Sequence, residues 1–207
     1  MENISTYCYN IYVRSIGEYH LRDNVNALMN NPYAADSLDG LFYEKSWIDT
    51  VQWHLEDIIR DPDIEGGYGL SIKRRIDNLN QKRTEIVEFI DDYFQDMFKD
   101  IVPKRNARHN TESLGWAFDR LSILSLKEFH LNGELNRNDA SVSHRDKCLF
   151  RKKTLVAQMD DLLRSINWLV EDIRSGKKIN KVYKQLKMYN DSSLNPVLYR
   201  KQGMILP

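Results

Sequence analysis

The chain has 207 residues, 42% hydrophobic and 11% aromatic, which is enough apolar material for one folded domain with a sizeable core and excludes a disordered chain. Lysine plus arginine and aspartate plus glutamate both number 30, and this balance argues against a dedicated nucleic-acid-binding protein, which carries a basic excess. The chain has two cysteines and no CxxC motif, which favours a reduced protein without disulfides. It shows no signal-like apolar start and no apolar run of roughly 20 residues, so we expect a cytoplasmic protein without a membrane span.

The first part of the chain is predicted to form two helices, separated at proline residues that helix interiors exclude. Apolar residues at helical spacing predict the first helix over residues 4–28. The second helix is predicted to begin at a capping side chain, Asp36 or Ser37, and to end near Arg60. The glycine-rich residues 66–69 are interpreted as a flexible connector.

The middle of the chain contains the most informative segment. A third helix is predicted over residues 70–98, and a basic loop follows it. Residues 110–130 then predict a helix that is apolar on nearly every face, which is typical of a helix inside a protein. Because this helix also carries charged side chains, we expect them to meet partners on neighbouring helices, in a core network or in a site. In a structural network, Arg75, Arg83 or Arg120 would be the counter-charges.

The last part of the chain is predicted to form one long helix, one short helix and a tail. Asp139 is the predicted cap of a fifth helix that ends near Gly176. Its apolar four-three seam, residues 155–173, is typical of a coiled coil and could serve homodimerisation. A short helix is predicted around residues 179–186, and residues 191–207 are expected to be an extended tail that docks on the bundle or on a partner.

These elements predict an all-α fold. We expect a single domain over residues 1–207, a bundle of about five long antiparallel helices plus a short C-terminal helix and an extended tail. No histidine follows a glutamate by three residues, and the sequence has no HExxH motif and no phosphate-binding glycine loop. The sequence therefore assigns no metal ligands and leaves the cofactor unknown.

Five side chains are candidates for a catalytic site. His54 and Asp57 share a helix face, so the carboxylate could orient the imidazole as a general base, or both could bind a metal. Glu112, Asp119 and His130 follow roughly one stripe of the predicted buried helix and could face the same pocket. The alternatives are polar pairs on a helix surface for the first group and a structural network between helices for the second.

Six basic or amide side chains are candidates for ligand binding. Three of them precede the buried helix, where free amides, the helix dipole and cationic side chains could bind an anion. The alternative is that this loop is a solvated connector. Two lie in the third helix, where an asparagine suggests a specific hydrogen bond to a ligand or to another helix. The last lies in the buried helix. The six are Lys104, Arg105, Arg108, Arg75, Asn80 and Arg120.

Four segments of the chain have distinctive residue sequences at a defined spacing. They are Trp53–Pro62 (WHLEDIIRDP), Lys73–Asn80 (KRRIDNLN), residues 110–130, and Lys184–Tyr199 (KQLKMYNDSSLNPVLY). Together they resemble a bacterial family known as domain of unknown function 4254, over nearly the whole chain from Asn31 onward. The resemblance implies no activity, substrate or catalytic residue. It suggests an association with cell-envelope polysaccharide synthesis, which would suit a nucleotide-sugar or phosphosugar ligand.

Two functions follow as hypotheses, and whether the chain is an enzyme stays open. We favour a non-catalytic helical module that binds a partner protein or an anionic small ligand, because the recognisable catalytic spacings are missing. The alternative is an enzyme that acts on a phosphate- or sugar-containing substrate through a histidine and carboxylate site, with or without a metal ion.

Overall fold

The computed structural model describes residues 3–185 and 191–200, and the all-α bundle predicted from the sequence is confirmed. Within these residues the only β-type pairing is an isolated bridge between Arg108 and Lys178, and no helix there has the length and hydropathy needed to cross a bilayer. The helices are α1 Ile4–His20, α2 Leu38–Ile58, α3 Gly66–Met97, α4 Leu114–Asn136, α5 Val142–Arg174 and α6 Pro196–Arg200.

Helix α4, predicted to lie inside the protein, is at the centre and packs against each of the other long helices. Leu114, Phe118, Leu121 and Leu126 are almost completely buried along it. Its outer face is nevertheless exposed at Arg120 and at Lys127. Helix α4 therefore holds the bundle together through most of its surface, as its composition predicts.

Helix α1 ends at His20, well before the predicted end at residue 28. Asp23 adopts a φ of 43°, in the left-handed region that an α-helix cannot continue through. The loop over residues 21–37 is then held against α3, because Arg75 donates hydrogen bonds to Asn26 Oδ1 at 2.7 Å and to the carbonyl oxygen of Val25. The predicted helix was too long because its last residues are stabilised by contacts outside the segment.

Helices α1 and α2 run in the same direction, which differs from the antiparallel arrangement predicted for the long helices. Tyr7 near the start of α1 bonds Asp39 near the start of α2, at 2.7 Å. His20 at the end of α1 likewise meets His54 near the end of α2. The loop over residues 21–37 is long enough to return along α1, which spans about 25 Å at 1.5 Å per residue. This direction brings the two histidines together.

Two helix starts differ from the predictions because of their capping side chains. Helix α3 begins at Gly66 rather than Leu70, since the Glu65 carboxylate accepts from the amides of the first turn and offsets the low helix propensity of glycine. Ser141 rather than Asp139 caps α5, accepting from the His144 amide at 3.2 Å. The cap of α2 at Ser37 agrees with the prediction.

The segment after α5 does not form the predicted short helix in its described part, residues 179–185. Gly176 has a φ of 71° and turns the chain, after which residues 177–179 pair with the loop before α4. Arg108 donates to the Lys177 carbonyl and accepts from the Ile179 amide, both at 3.0 Å. Leu186 and residues 201–207 lie outside the described residues, and the predicted extended tail contains α6.

The apolar seam of α5 is used inside the chain. Leu155, Met159, Ile166, Leu169 and Ile173 are all buried, and α5 packs against α4 and α1. The predicted homodimer seam is therefore covered by the chain's own helices. A homodimer stays a prediction that would need a different surface.

Candidate functional site

Three histidines from three helices meet where the ends of α1 and α2 approach α4. They are His20, His54 and His130, and one ring nitrogen of each lies within 4.8 Å of the other two. His54 Nε2 and His20 Nε2 are 3.1 Å apart. This histidine cluster contains two of the sequence candidates and adds His20, which sequence reasoning missed.

Aromatic side chains hold each imidazole of the histidine cluster. Tyr19 stacks on His54 with ring centroids 5.3 Å apart. Trp53 stacks on His130 at 4.7 Å with the two planes only 7° apart. Phe129 packs over His20 at 4.1 Å. These contacts limit ring rotation and reduce the exposure of the three rings to water.

The hydrogen bonds leave lone pairs inside the histidine cluster. His20 Nδ1 lies 2.7 Å from the Ile16 carbonyl oxygen, so Nδ1 carries the proton of the neutral ring and Nε2 keeps a lone pair. His54 Nε2 faces that lone pair: it donates to it in the tautomer that carries the proton on Nε2, and it offers a lone pair of its own in the other tautomer. His130 Nε2 is buried without a hydrogen-bond partner. A buried nitrogen of this kind is uncommon and indicates a missing partner.

Two of the histidines, His54 and His130, are held in the neutral form that binds metals. Burial, with the neighbouring His20 and His54, lowers the pKa of His130 to about 4. Burial and the neighbouring His20 also lower the pKa of His54 below its ordinary value. Both rings are therefore neutral at pH 7, the state in which imidazole is a ligand.

The carboxylate beside His54 is Asp23 rather than Asp57. Asp23 Oδ1 lies 3.8 Å from His54 Nε2, and its side chain is 67% exposed. Asp57 is exposed and acts on His54 through its charge. The histidine cluster thus has an acidic, solvent-facing side at Asp23, whose position depends on the turn after α1.

A second polar cluster, the ion network, lies deeper in the bundle. Lys45 has no exposed side-chain surface and contacts Asp49 and Asp119, the latter at 2.9 Å. Arg83 donates two hydrogen bonds to Asp119, at 2.7 and 2.6 Å. Ser122 donates to Asp49 Oδ2 at 2.6 Å. The network joins α2, α3 and α4 and pairs two cations with two carboxylates.

The two carboxylates of the ion network differ in their pKa. Burial raises the pKa of Asp49 above its ordinary value, because Lys45 and Arg83 offset only part of the desolvation. Burial also acts to raise the pKa of Asp119, but hydrogen bonds from Arg83 and the charge of Lys45 outweigh it and hold that pKa low. Asp119 is therefore an ionised partner of Arg83, one of the counter-charges expected from the sequence.

A cavity of about 340 Å³ opens beside the ion network, between α2, α3 and α4. We call it the α2–α4 cavity. Two of the atoms of its lining residues, Asp49 Oδ1 and Gln52 Oε1, are buried without hydrogen-bond partners. Trp53 lines it and also stacks on His130. The lining residues are Asp49, Gln52, Trp53, Glu56, Asp57, Arg60, Arg83, Ile123 and Leu126.

Four sequence candidates lie away from the histidine cluster. Glu112 precedes α4 and pairs with Arg120 at 2.8 Å, at the opposite end of that helix from His130. Arg75 holds the loop after α1. Asn80 accepts a hydrogen bond from Gln52 at 2.9 Å, a contact between α3 and α2. The predicted common stripe of Glu112, Asp119 and His130 is not formed.

The basic loop before α4 lies over a separate cavity of about 470 Å³, which we call the basic cavity. Lys104 and Arg108 line it together with Asn106, Asp172, Lys177 and Lys178, whereas Arg105 does not.

The first turn of α4 is already capped from within. Asp91 on α3 accepts from the Gly115 amide at 2.7 Å and from the Ser113 hydroxyl at 2.5 Å. A carboxylate of the chain therefore occupies the anion position that the sequence predicted at this helix start.

The residues that sequence reasoning missed carried weak local signals. Lys45 and Asp49 are four residues apart, a spacing usually found in surface pairs. Their neighbours Trp47, Ile48 and Val51 are apolar, which could have indicated burial. His20 gave no signal, because its role depends on where α1 ends.

Comparison with known proteins agrees with the resemblance seen in the sequence. The family described as "Protein of unknown function (DUF4254)" matches residues 39–182, well over half of the chain. The match includes His54, His130 and the ion network, and it begins after His20. No curated protein and no solved structure matches the chain significantly.

Proposed function

Because the chain belongs to the family of proteins of unknown function DUF4254, its activity must be inferred from its own side chains, and we propose that it binds a divalent transition-metal ion. The ligands would be His20, His54 and His130. The observation that carries the proposal is the approach of three imidazole nitrogens from three helices to within 4.8 Å. Neutral imidazole is a preferred ligand of zinc, copper, nickel and iron.

The distance between His20 and His54 and the hydrogen-bond partners of the histidine cluster fit such an ion. Two nitrogens bound to one tetrahedral zinc ion lie about 3.3 Å apart, given Zn–N bonds of about 2.0–2.1 Å, and His54 and His20 are separated by 3.1 Å. An ion would also give the unpartnered His130 Nε2 a bond. The Ile16 carbonyl that fixes the His20 tautomer is a typical outer-shell partner of a ligating histidine.

Three protein ligands favour a catalytic ion over a purely structural one. Structural zinc sites fill four positions with protein atoms, whereas catalytic sites keep one position open. A bound ion would act as a Lewis acid on an oxygen of a substrate or of water. Asp23, mostly exposed at 3.8 Å from His54, is placed to accept a proton at the solvent side. The proposal is thus the metal-assisted form of the enzyme hypothesis.

Metal titration of chelator-treated protein tests the proposal. We expect one Zn²⁺ or Co²⁺ ion per chain, with Co²⁺ giving the visible absorption of a nitrogen-rich site. Single changes His20→Ala, His54→Ala and His130→Ala should each weaken binding by about 100-fold or more, since losing even an outer-shell partner costs about 10–100-fold. His109→Ala is the matched control, because His109 is exposed and lies outside the cluster.

Thermal unfolding gives a second readout of the same site. A ligand present at 100 times its Kd stabilises the folded state by about 2.7 kcal/mol, so zinc should raise the Tm of the wild type and of His109→Ala. Zinc should leave the Tm of the three histidine-cluster variants unchanged. A wild type that binds no stoichiometric ion, or cluster variants that bind as tightly as the control, would refute the metal site.

The basic cavity supports a second candidate function, non-catalytic binding of an anionic small ligand. Lys104, Arg108, Lys177 and Lys178 surround about 470 Å³ together with a single carboxylate, Asp172. Backbone bonds from Lys104 to Gly176 and from Arg108 to Lys177 bring these cations together. A phosphate group matches such a site, and a nucleotide-sugar is the anionic ligand that the family resemblance suggests.

Calorimetric titration with inorganic pyrophosphate tests this second candidate. We expect binding that weakens with salt and falls by about tenfold in Arg108→Gln, the change expected from losing one charge-assisted hydrogen bond. Arg105→Gln is the control, since Arg105 is exposed in the same loop but does not line the cavity. Equal affinities for the two variants would show that the anion binds elsewhere.

A further inference from the structure

Four buried side-chain polar atoms among the described residues have no hydrogen-bond partner, and they lie in one region. They are Tyr19 Oη, Asp49 Oδ1, Gln52 Oε1 and His130 Nε2. Asp49 and Gln52 belong to α2, and the rings of Tyr19 and His130 stack on His54 and Trp53 of the same helix. Buried polar atoms are normally paired. Because these four atoms are spread along α2, a single metal ion could not supply hydrogen-bond or coordination partners for all of them.

We propose that the α2–α4 cavity binds a neutral, hydroxyl-rich small molecule of the size of a monosaccharide. Binding in this cavity does not require the metal ion. The inference rests on the proposed function in one respect only: if the metal site is catalytic, this ligand names the class of its substrate. Asp49 and Gln52 are the acceptors for the ligand hydroxyls, and Trp53 is the side chain shared with the histidine cluster.

The cavity needs donors that the chain does not supply. Asp49 Oδ2 is engaged by Lys45 and Ser122, while Arg83 Nε lies 3.6 Å from Asp49 Oδ1, too far for a good hydrogen bond. Gln52 uses its amide nitrogen to bond Asn80 at 2.9 Å, which leaves Oε1 without a donor. A ligand that fits this site must therefore donate hydrogen bonds to two neighbouring oxygens.

The charges around the cavity favour a neutral donor. Lys45 and Arg83 already balance Asp49 and Asp119 in the ion network. An ammonium group would add a cation beside this balanced set, and an uncompensated buried charge is costly. At the cavity rim Arg60 is paired with Glu56 at 2.9 Å, and the remaining lining carboxylate, Asp57, is exposed to solvent, so the charge balance that matters is the one around the buried Asp49. A hydroxyl group supplies the missing donor without changing the charge.

The size and surface of the cavity agree with a small polyol. Its volume of about 340 Å³ lies at the lower end of the range for small-molecule sites, about 300–1,000 Å³. Trp53, Ile123 and Leu126 give apolar surface for the carbon faces of a ring. Because Trp53 also stacks on His130 at 4.7 Å, a ligand in the cavity would be one side chain away from the histidine cluster.

Ligand-observed NMR and tryptophan fluorescence on chelator-treated protein test the inference. The probes are glucose, galactose, N-acetylglucosamine and maltose, with putrescine and inorganic phosphate as charged comparators. We expect at least one neutral sugar to bind and Gln52→Ala to weaken it by about tenfold, the effect of one lost hydrogen bond. Gln81→Ala is the control, since Gln81 pairs with Glu85 on the outside of α3.

The outcomes separate this inference from the metal proposal. Sugar binding that persists in metal-free protein and in His54→Ala, but falls in Gln52→Ala, supports the cavity site even if no metal binds. Binding of putrescine or phosphate in place of the sugars overturns the neutral ligand class. Failure of every sugar, or equal affinities for Gln52→Ala and Gln81→Ala, overturns the site. Asp49→Asn is a second variant, because it exchanges one carboxylate oxygen for an amide donor while keeping the shape, and it should weaken sugar binding as Gln52→Ala does.

Discussion

Lys45 is completely buried in α2, although lysine is among the side chains least often found without exposed surface. Its ammonium is the shared counter-charge of Asp49 and Asp119. Arg83 is the second cation, and it binds mainly Asp119. Removing Lys45 would therefore leave one guanidinium to balance two buried carboxylates. At the residue scale, the charge balance of the interior therefore depends on this one lysine.

We predict that Lys45→Met lowers the free energy of unfolding by about 3–5 kcal/mol, the usual cost of leaving a buried charge without its partner. The methionine keeps the length of the apolar stem, so the decrease in the free energy of unfolding measures the effect of removing the charge. Urea unfolding at pH 7 measures it. The control is Lys82→Met on the exposed side of α3, where a change within about 0.5 kcal/mol is expected.

A different result would change the description of the ion network. If Lys45→Met lost less than about 1 kcal/mol, one carboxylate would have to be protonated at neutral pH, and Asp49, whose pKa burial raises, is the one expected to carry the proton. The network would then be a hydrogen-bonded cluster with less charge.

At the scale of elements, α4 contains two glycines with opposite surroundings. A Cβ atom on Gly115 would lie 2.5 Å from the Val87 carbonyl oxygen and 2.8 Å from Asp91, so α3 and α4 are in close contact there. A Cβ atom on Gly133 would meet nothing within 4 Å. Both positions are inside the same helix, so they separate close packing from helix propensity.

We predict that Gly115→Ala lowers the free energy of unfolding by about 1–3 kcal/mol, because the backbone of α3 must move to accept the methyl group. Gly133→Ala should instead raise it by about 0.5–1 kcal/mol, the propensity difference between the two residues in a helix interior. Chemical denaturation of both variants beside the wild type checks the signs. A stabilising Gly115→Ala would mean that α3 and α4 are farther apart than described.

The interiors of the helices could be predicted from the sequence, but several of their ends could not. Periodic apolar residues indicate where a helix runs, because the 3.6-residue repeat is a local property. Ends depend on which side chain captures the free amides, as Glu65 and Ser141 do. They also depend on tertiary contacts, such as those of Arg75 with the loop after α1.

At the scale of the whole molecule, the histidine cluster, the ion network and the α2–α4 cavity are adjacent. Trp53 lines the cavity and stacks on His130, and Asp49 belongs to both the cavity and the network. The parallel course of α1 and α2 completes this arrangement by placing His20 beside His54. A metal ion and a hydroxyl-rich ligand would thus bind to neighbouring parts of one interior.

The sequence by itself determined the all-α class, the central position of α4 and the membership of the family. Helical periodicity, apolar content and sequence motifs can all be recognised within short segments of the chain. It also singled out His54, His130 and Asp119 as candidate residues. Only the tertiary structure decided that the two histidines meet His20, that Asp119 pairs with Lys45 and Arg83, and that Glu112 lies elsewhere. Such meetings depend on helix direction and on packing between residues more than 30 positions apart, which no local pattern encodes.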